Sequence, residues 1–315
     1  MSGNKTENDN SNFGRFDFVG RIGLFGGISL ILVVASLIFI AIRGISYGID
    51  FKGGTEIQVK FRDQVSIDQV RTSVSTLGLG DIGVQAFGEG NEFIIRFQGA
   101  AAATDKETNE LLNASIVKVR DVINKDFASA GPDIRRVDSV GPQVGAELKR
   151  NGFLAVFYCL LVILIYVAIR FDYKYSPGAV VCLAHDVIIT LAIFVLVGKE
   201  VNVPILAAML TLIGYSLNDT IVVFDRIREM EVTYKGRGLG FIINKAINDM
   251  FVRTLITSGT VFVSALCLYL FAGGVVSDIA FAICIGVFFG TYSSIYVAAP
   301  LILIMDKLNM SPQKA

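Results

Sequence analysis

NVPILAAMLTLIGYSLNDTIVVF, residues 202–224, decides how this chain folds. The run is long enough to cross a bilayer and carries one charged residue, Asp219. A carboxylate inside hydrocarbon is costly, so an acid at that depth marks a functional site. Gly214, Tyr215, Ser216, Asn218 and Thr220 surround it with small and polar groups. Ending the helix at Asn218 is the alternative. That would leave about 16 apolar residues where a span needs about 20, and would strand the apolar residues 221–224 outside. The membrane-embedded reading is the stronger one.

Composition agrees. Of 315 residues, 53% are hydrophobic, and the mean hydropathy is +0.61, above that of a soluble domain. Formal net charge is zero, so no global field points to nucleic acid. Cys159, Cys182, Cys267 and Cys284 all lie in apolar runs without metal-ligand spacing and read as small hydrophobes.

Apolar runs recur at 22–42, 153–169, 179–197, 203–224, 254–272 and 279–305, each near spanning length. The first is too long for a signal-peptide core, and no clear small-x-small cleavage site follows it. Lys5, Arg15 and Arg21 precede it. Arg170 and Lys174 follow the second run, and six basic residues from Arg226 to Arg253 follow the fourth. On the other side the short loops hold Lys199 alone. The positive-inside rule therefore predicts cytoplasmic termini. The organisation expected is a cytoplasmic tail 1–21, a first transmembrane helix 22–42, a periplasmic domain 43–151, helices two to six within 152–305, and a cytoplasmic tail 306–315.

The long segment between the first two runs reads as a folded α+β unit. Residues 55–61 alternate, with Ile57, Val59 and Phe61 on one face and Glu56, Gln58 and Lys60 on the other. Ser66 caps a predicted helix through Val70 and Val74 that Gly78 ends. Strands at 81–87 and 92–97 join through a turn at 88–91. Thr104 and Glu107 make a capping box ahead of a long helix, and 134–140 is a last strand. The order β-α-β-β-α-β is the ferredoxin-like pattern. The first ten residues are polar, 100–103 reads as a small-residue linker, and 236–250 reads as an amphipathic connector at the cytoplasmic interface.

Further polar residues lie in the spans. His185 and Asp186 are adjacent in the third. Helical rise puts His185 about 12 Å from Pro177 and Asp219 about 9 Å from Asp225, at similar depth. Arg253 opens the fifth run, followed by Thr257 and Ser258 on a partly polar face. Arg253 reads equally as an interfacial anchor and as a functional cation. His185 and Asp186 read equally as interhelical hydrogen-bonding groups and as participants in proton transfer. Gly286 and Gly290 read as a packing pair. No nucleotide-binding loop, metal-ligand set or nucleophile elbow is visible, so no cofactor, metal or catalytic residue is expected.

Ordered motifs carry a resemblance. GIDFKGGT at 48–55, VGPQVGAEL at 140–148, LAHDVIIT at 183–190, GYSLNDTIVVFDRIRE at 214–229, RTLITSGT at 253–260 and GTYSSIYVAAPL at 290–301 resemble the signatures of the SecF family of protein-export membrane subunits. That family is related to proton-driven exporters of the resistance-nodulation-division superfamily. The resemblance covers nearly the whole chain and fits a separate SecF more than a fused SecDF polypeptide.

The resemblance implies an α-helical polytopic membrane protein with six transmembrane helices and a ferredoxin-like periplasmic domain. It implies a location in the bacterial inner membrane, use of the proton gradient to promote export, and no enzymatic activity. SecD, the SecYEG translocon, YajC, unfolded preproteins and the lipid bilayer are the partners it implies. The proton path falls on Asp219 and Arg253, with Asn218, Thr220, Thr257, Ser258, His185 and Asp186 as supporting polar residues. Ala207, Ala208, Thr211, Gly214 and Ser216 are expected to face SecD, with Asp219 near the seam. A non-transporting scaffold and half of a small-molecule exporter are the rival readings.

Overall fold

The computed structural model describes residues 15–80, 82–87, 90–98, 105–171 and 174–308. The polar first ten residues, the 100–103 linker, the Thr104 cap and part of the 88–91 turn lie outside the described residues.

Among the described residues, six helices are long and apolar enough to cross a membrane. They are α1 (Ile22–Arg43), α5 (Pro142–Arg170), α6 (Ser176–Val197), α7 (Val203–Thr233), α8 (Leu239–Phe271), and α9 (Gly274–Ser293) continued through a π-helical turn, Ser294–Ala298, into α10 (Ala299–Leu308). At 1.5 Å per residue, α1 is about 33 Å long, enough for a hydrocarbon layer of about 30 Å. Its apolar side chains, Leu30, Ile31 and Ile42 among them, stay exposed, as suits a helix facing lipid. By contrast α6 and α7 form the centre, with Leu183, Phe194, Ile205, Ile213 and Phe224 fully or almost fully buried.

Glycines let the central helices meet. A Cβ on Gly286 of α9 would lie 2.1 Å from the Leu212 side chain of α7. One on Gly290 would press on Ser216 and Asp186, at 3.3 and 3.4 Å. The Gly286–Gly290 pair expected from sequence is thus a seat for α7.

Two helices extend beyond the sequence boundaries. Because Pro142 stands in the first turn, where a missing N–H costs nothing, α5 starts there and runs unbroken to Arg170. Residues 239–250 do not form a separate interfacial connector. They are the first turns of the 33-residue α8. Ile242, Ile243, Ala246 and Ile247 form a stripe buried in the same cluster as Phe18, Ile227 and Met230, so the segment packs inward. A strap ahead of α1 is fastened to this part of α8. Asn244 Oδ1 accepts from the backbone of Phe18 and Val19, and Asn248 Oδ1 accepts from Phe16.

Between α1 and α5 lies a short helix α2 (Ile49–Lys52) and the α+β unit: β1 (Gly54–Phe61), α3 (Ile67–Ser75), β2 (Ile82–Ala86), β3 (Glu92–Phe97), α4 (Asp105–Asp126) and β4 (Pro132–Val140). The antiparallel sheet has strand order β2-β3-β1-β4. Ile57, Val59, Phe61, Ile95 and Phe97 are buried with Val70, Val74, Val119 and Ile123 from the two helices. Each such burial contributes about 1.5–3 kcal/mol. Ser66 completes a full capping box with Gln69. β4 starts at Pro132, two residues before its expected limit, and a register shift opposite Gln58 and Val59 absorbs Arg135.

Gly53 and Gly54 are more than an ordinary turn. Both have positive φ, 75° and 134°. A Cβ on Gly53 would lie 2.8 Å from Pro142 Cα, and one on Gly54 would lie 2.9 Å from Phe97 O. Only glycine lets the root of β1 pass between the start of α5 and the end of β3.

Candidate functional site: a carboxylate buried between membrane helices

The helix that carries Asp219 is capped from two sides. Asn202 Oδ1 accepts from Ile205 N at 3.0 Å, and Asp50, from the turn before the glycine pair, accepts from Val203 N at 2.9 Å. These satisfy N–H groups that a helix start leaves unpaired. About 24 Å along α7, Asp219 is 4% exposed. Ser258 of α8, itself buried, donates to Asp219 Oδ2 at 2.9 Å. Arg253 stands within electrostatic reach of Asp219 but makes no ion pair within 4 Å among the described residues. It lies in the middle of α8, not at its start, and is exposed in the isolated chain.

The other expected residues divide. Thr257 makes no hydrogen bond to Asp219 among the described residues and donates to the carbonyls of Arg253 and Thr254. Asn218 is exposed. Thr220 is buried, but its hydroxyl donates to Ser216 O on its own helix and lies 3.7 Å from Cys182 Sγ. Ser258 is therefore the one supporting residue that touches Asp219.

His185 and Asp186 belong to a second polar cluster, on the side of α7 that meets α6 and α9. His185 Nδ1 lies 2.9 Å from Asp186 Oδ1, and both residues are 3% exposed. Ser216 donates to Asp186 Oδ2 at 2.6 Å, and Ser293 reaches the same oxygen at 3.0 Å. Cys182 in turn donates to Ser293 at 3.1 Å. Ser293 and Cys182 escaped the sequence reading. Ser293 sits in the GTYSSIYVAAPL motif, a signal that could have drawn attention to it, whereas nothing distinguishes Cys182 from a core residue.

The face of α7 also needs correcting. Ala207, Thr211 and Gly214 are exposed, in line with Asn218. Ala208 and Ser216 point into this chain's own bundle and cannot meet a second protein. The matching exposed stripe on α8 is Arg253, Thr257, Thr260 and Ser264. Polar groups on a lipid-facing surface favour a protein neighbour.

At the end of the bundle near the sheet, Arg96 of β3 bonds both Glu56 on β1, at 2.7 Å, and Glu200 in the α6–α7 loop, at 2.5 Å. Lys199 pairs with Asp278 beside it. Burial pushes the Glu200 carboxyl above the ordinary carboxylate value, while Arg96 acts against that.

Residues 121–308 match the family described as protein export membrane protein SecD/SecF, C-terminal, and residues 38–65 match the SecD/SecF GG motif. The chain belongs to the SecD/SecF family. The GG-motif match spans Gly53 and Gly54. Relatives named protein translocase subunit SecF include those of Calditerrivibrio nitroreducens and Escherichia coli O157:H7. The first is 41% identical over 95% of this chain and 96% of that one; the second is 39% identical over 91% and 88%. Among solved structures, SecDF from Thermus thermophilus, described as a translocon-associated membrane protein, aligns with a TM-score of 0.79 and 32% identity. The alignment covers 93% of this chain and 39% of that longer one. A SecDF structure in a super-membrane-facing form aligns at 0.67. Membership of the SecD/SecF family makes this a multi-pass membrane protein related to translocase subunits.

Proposed function

We propose that the chain is a SecF-type subunit that uses the proton motive force to promote preprotein export across the bacterial inner membrane, with Asp219 carrying the proton and Arg253 acting as its counter-charge. The observation that carries this reading is the burial of Asp219, at 4% exposure, in an apolar helix with a single hydroxyl partner among the described residues, Ser258. A carboxylate so weakly held can exchange a proton, and a nearby guanidinium can stabilise the ionised form without locking it. One charge crossing 100 mV supplies about 2.3 kcal/mol, enough to bias two poses of a domain.

In this reading the sheet domain, 43–151, is periplasmic and both termini are cytoplasmic, as the lysine and arginine distribution supports. SecD meets the exposed α7 and α8 stripes, and SecYEG, YajC and unfolded preproteins are further partners.

The test is co-reconstitution of the full chain with SecD and SecYEG. Asp219→Asn removes the gradient-dependent stimulation of export while leaving the protein inserted. Arg253→Met impairs coupling far more than Arg253→Lys, which keeps the charge. Undiminished stimulation in Asp219→Asn, at normal protein levels, would sink the proton-carrying role.

A further inference from the structure

We infer that Tyr215 is a positioning residue of the acid site: its hydroxyl orients the Ser258 hydroxyl, which in turn holds Asp219. The inference deepens the proton-coupled reading above and rests on it for its functional meaning.

Tyr215 stands four positions before Asp219, one turn away on α7, so the two side chains share a face of that helix. The residue is only partly buried, yet its hydroxyl oxygen is fully enclosed and makes no hydrogen bond among the described residues. Its surroundings are not apolar. The Ser258 and Thr257 hydroxyls of α8 lie beside it, and the Asp219 carboxyl is within electrostatic reach. Buried hydroxyls in native proteins are paired, so a donor enclosed among oxygens calls for a partner.

The protons already committed around it select that partner. Ser258 gives its one proton to Asp219 Oδ2 at 2.9 Å. Thr257 gives its own to the carbonyls of Arg253 and Thr254, at 3.1 and 3.0 Å. Both oxygens keep lone pairs that can accept, and neither has a proton left to offer. Among these three hydroxyls, Tyr215 therefore holds the uncommitted donor. Ser258 is the better acceptor of the two, because its own bond runs to a carboxylate. Accepting a second bond strengthens the one it gives. Rotation about the side-chain torsions of Tyr215 brings its hydroxyl onto Ser258 Oγ and completes a chain from Tyr215 through Ser258 to Asp219.

The chain fixes where Ser258 points. A serine within a helix can turn its proton back to the carbonyl four residues earlier, as Thr257 does to Arg253. A donor on the far side of Ser258 Oγ opposes that turn and keeps the proton aimed at Asp219. Tyr215 thus acts on the acid through Ser258, across the seam between α7 and α8.

The test uses the full chain co-reconstituted with SecD in phospholipid vesicles. It reads the rate at which dicyclohexylcarbodiimide modifies Asp219, followed by mass spectrometry, with Asp219→Asn identifying the modified peptide. Bonds that tie up the carboxylate oxygens slow this reaction. Ser258→Ala should speed it about tenfold, and Tyr215→Phe, which keeps the ring, about threefold. The double variant should react no faster than Ser258→Ala alone, since Tyr215 works only through that hydroxyl. A tyrosine that merely packs would add its effect independently of Ser258. Wild-type reactivity in Tyr215→Phe, or a double variant at the product of the two single effects, overturns the inference. The labelling needs no gradient, so its failure is distinct from that of the proton-coupled reading, which falls if Asp219→Asn still responds to the gradient, whatever Tyr215 does.

Discussion

Arg96 and Glu200 join two parts of the molecule that are 104 residues apart in sequence: the guanidinium on β3 reaches 2.5 Å to a carboxylate in the loop between α6 and α7. With Glu56 on the other side of Arg96, the sheet is fastened to the end of the membrane bundle by one planar cation between two acids.

Loss of that cation should loosen the docking without unfolding the sheet, whose core is on the opposite face. Arg96→Met is expected to weaken docking by about 1 kcal/mol, since the pair is partly exposed. Hydrogen exchange should rise at residues 199–202 and along β3 but stay unchanged in α3 and α4. Unchanged protection at both places would show that apolar contacts alone hold the sheet.

Docking should also depend on pH. Burial raises the Glu200 carboxyl above its ordinary value, so the docked form binds a proton more readily than an undocked one in the window between the ordinary and raised values. Through that window, docking weakens as pH rises; above and below it the dependence disappears. Glu200→Gln should abolish the dependence. Exchange rates of the 199–202 loop at mildly acidic and neutral pH read this directly.

Ser258 and Thr257 offer a neighbouring-residue contrast. Ser258→Ala removes the hydroxyl on Asp219, and about 1.4 kcal/mol lost there corresponds to a tenfold weaker gradient response. Thr257→Ala, whose hydroxyl donates to carbonyls of its own helix and makes no bond to Asp219, should keep far more of the response than Ser258→Ala. Equal effects would mean that helix polarity, not the bond to Asp219, matters.

Gly286→Ala should destabilise the bundle by about 2 kcal/mol, because the new methyl group falls on Leu212. Leu212→Ala in the same chain should recover part of the loss. Gly214→Ala, with open space around it, should leave thermal unfolding in detergent unchanged.

Cysteines at 207, 211, 214 and 218 should cross-link to SecD in native membranes, while those at 208 and 216 should not. Capture of SecD from the buried positions would reverse the orientation assigned to α7.

Much of this was legible in the sequence. Six apolar runs of spanning length gave six helices, since hydropathy is a one-dimensional property. Alternation at Ile57, Val59 and Phe61, with Ser66 after them, gave the first strand and helix of the sheet domain. Residues 239–250 misled because a stripe that packs against Phe18 and Ile227 has the same periodicity as one that lies on lipid. Side-chain partnership was the least legible. Thr220 and Thr257 neighbour the key residues in sequence and touch neither carboxylate, while Ser258 and Ser293, 39 and 107 residues from theirs, do.

The bond from Asp50 to Val203 has a mechanical meaning. Two residues separate Asp50 from the glycine pair at the root of β1, and its carboxylate grips the first turn of a 31-residue helix about 46 Å long. A rod of that length is stiff, so a few degrees of tilt at the gripped end becomes a displacement of ångströms at Asp219. The sheet domain therefore holds the handle of a lever whose working point is the buried acid, and force on either can be felt at the other.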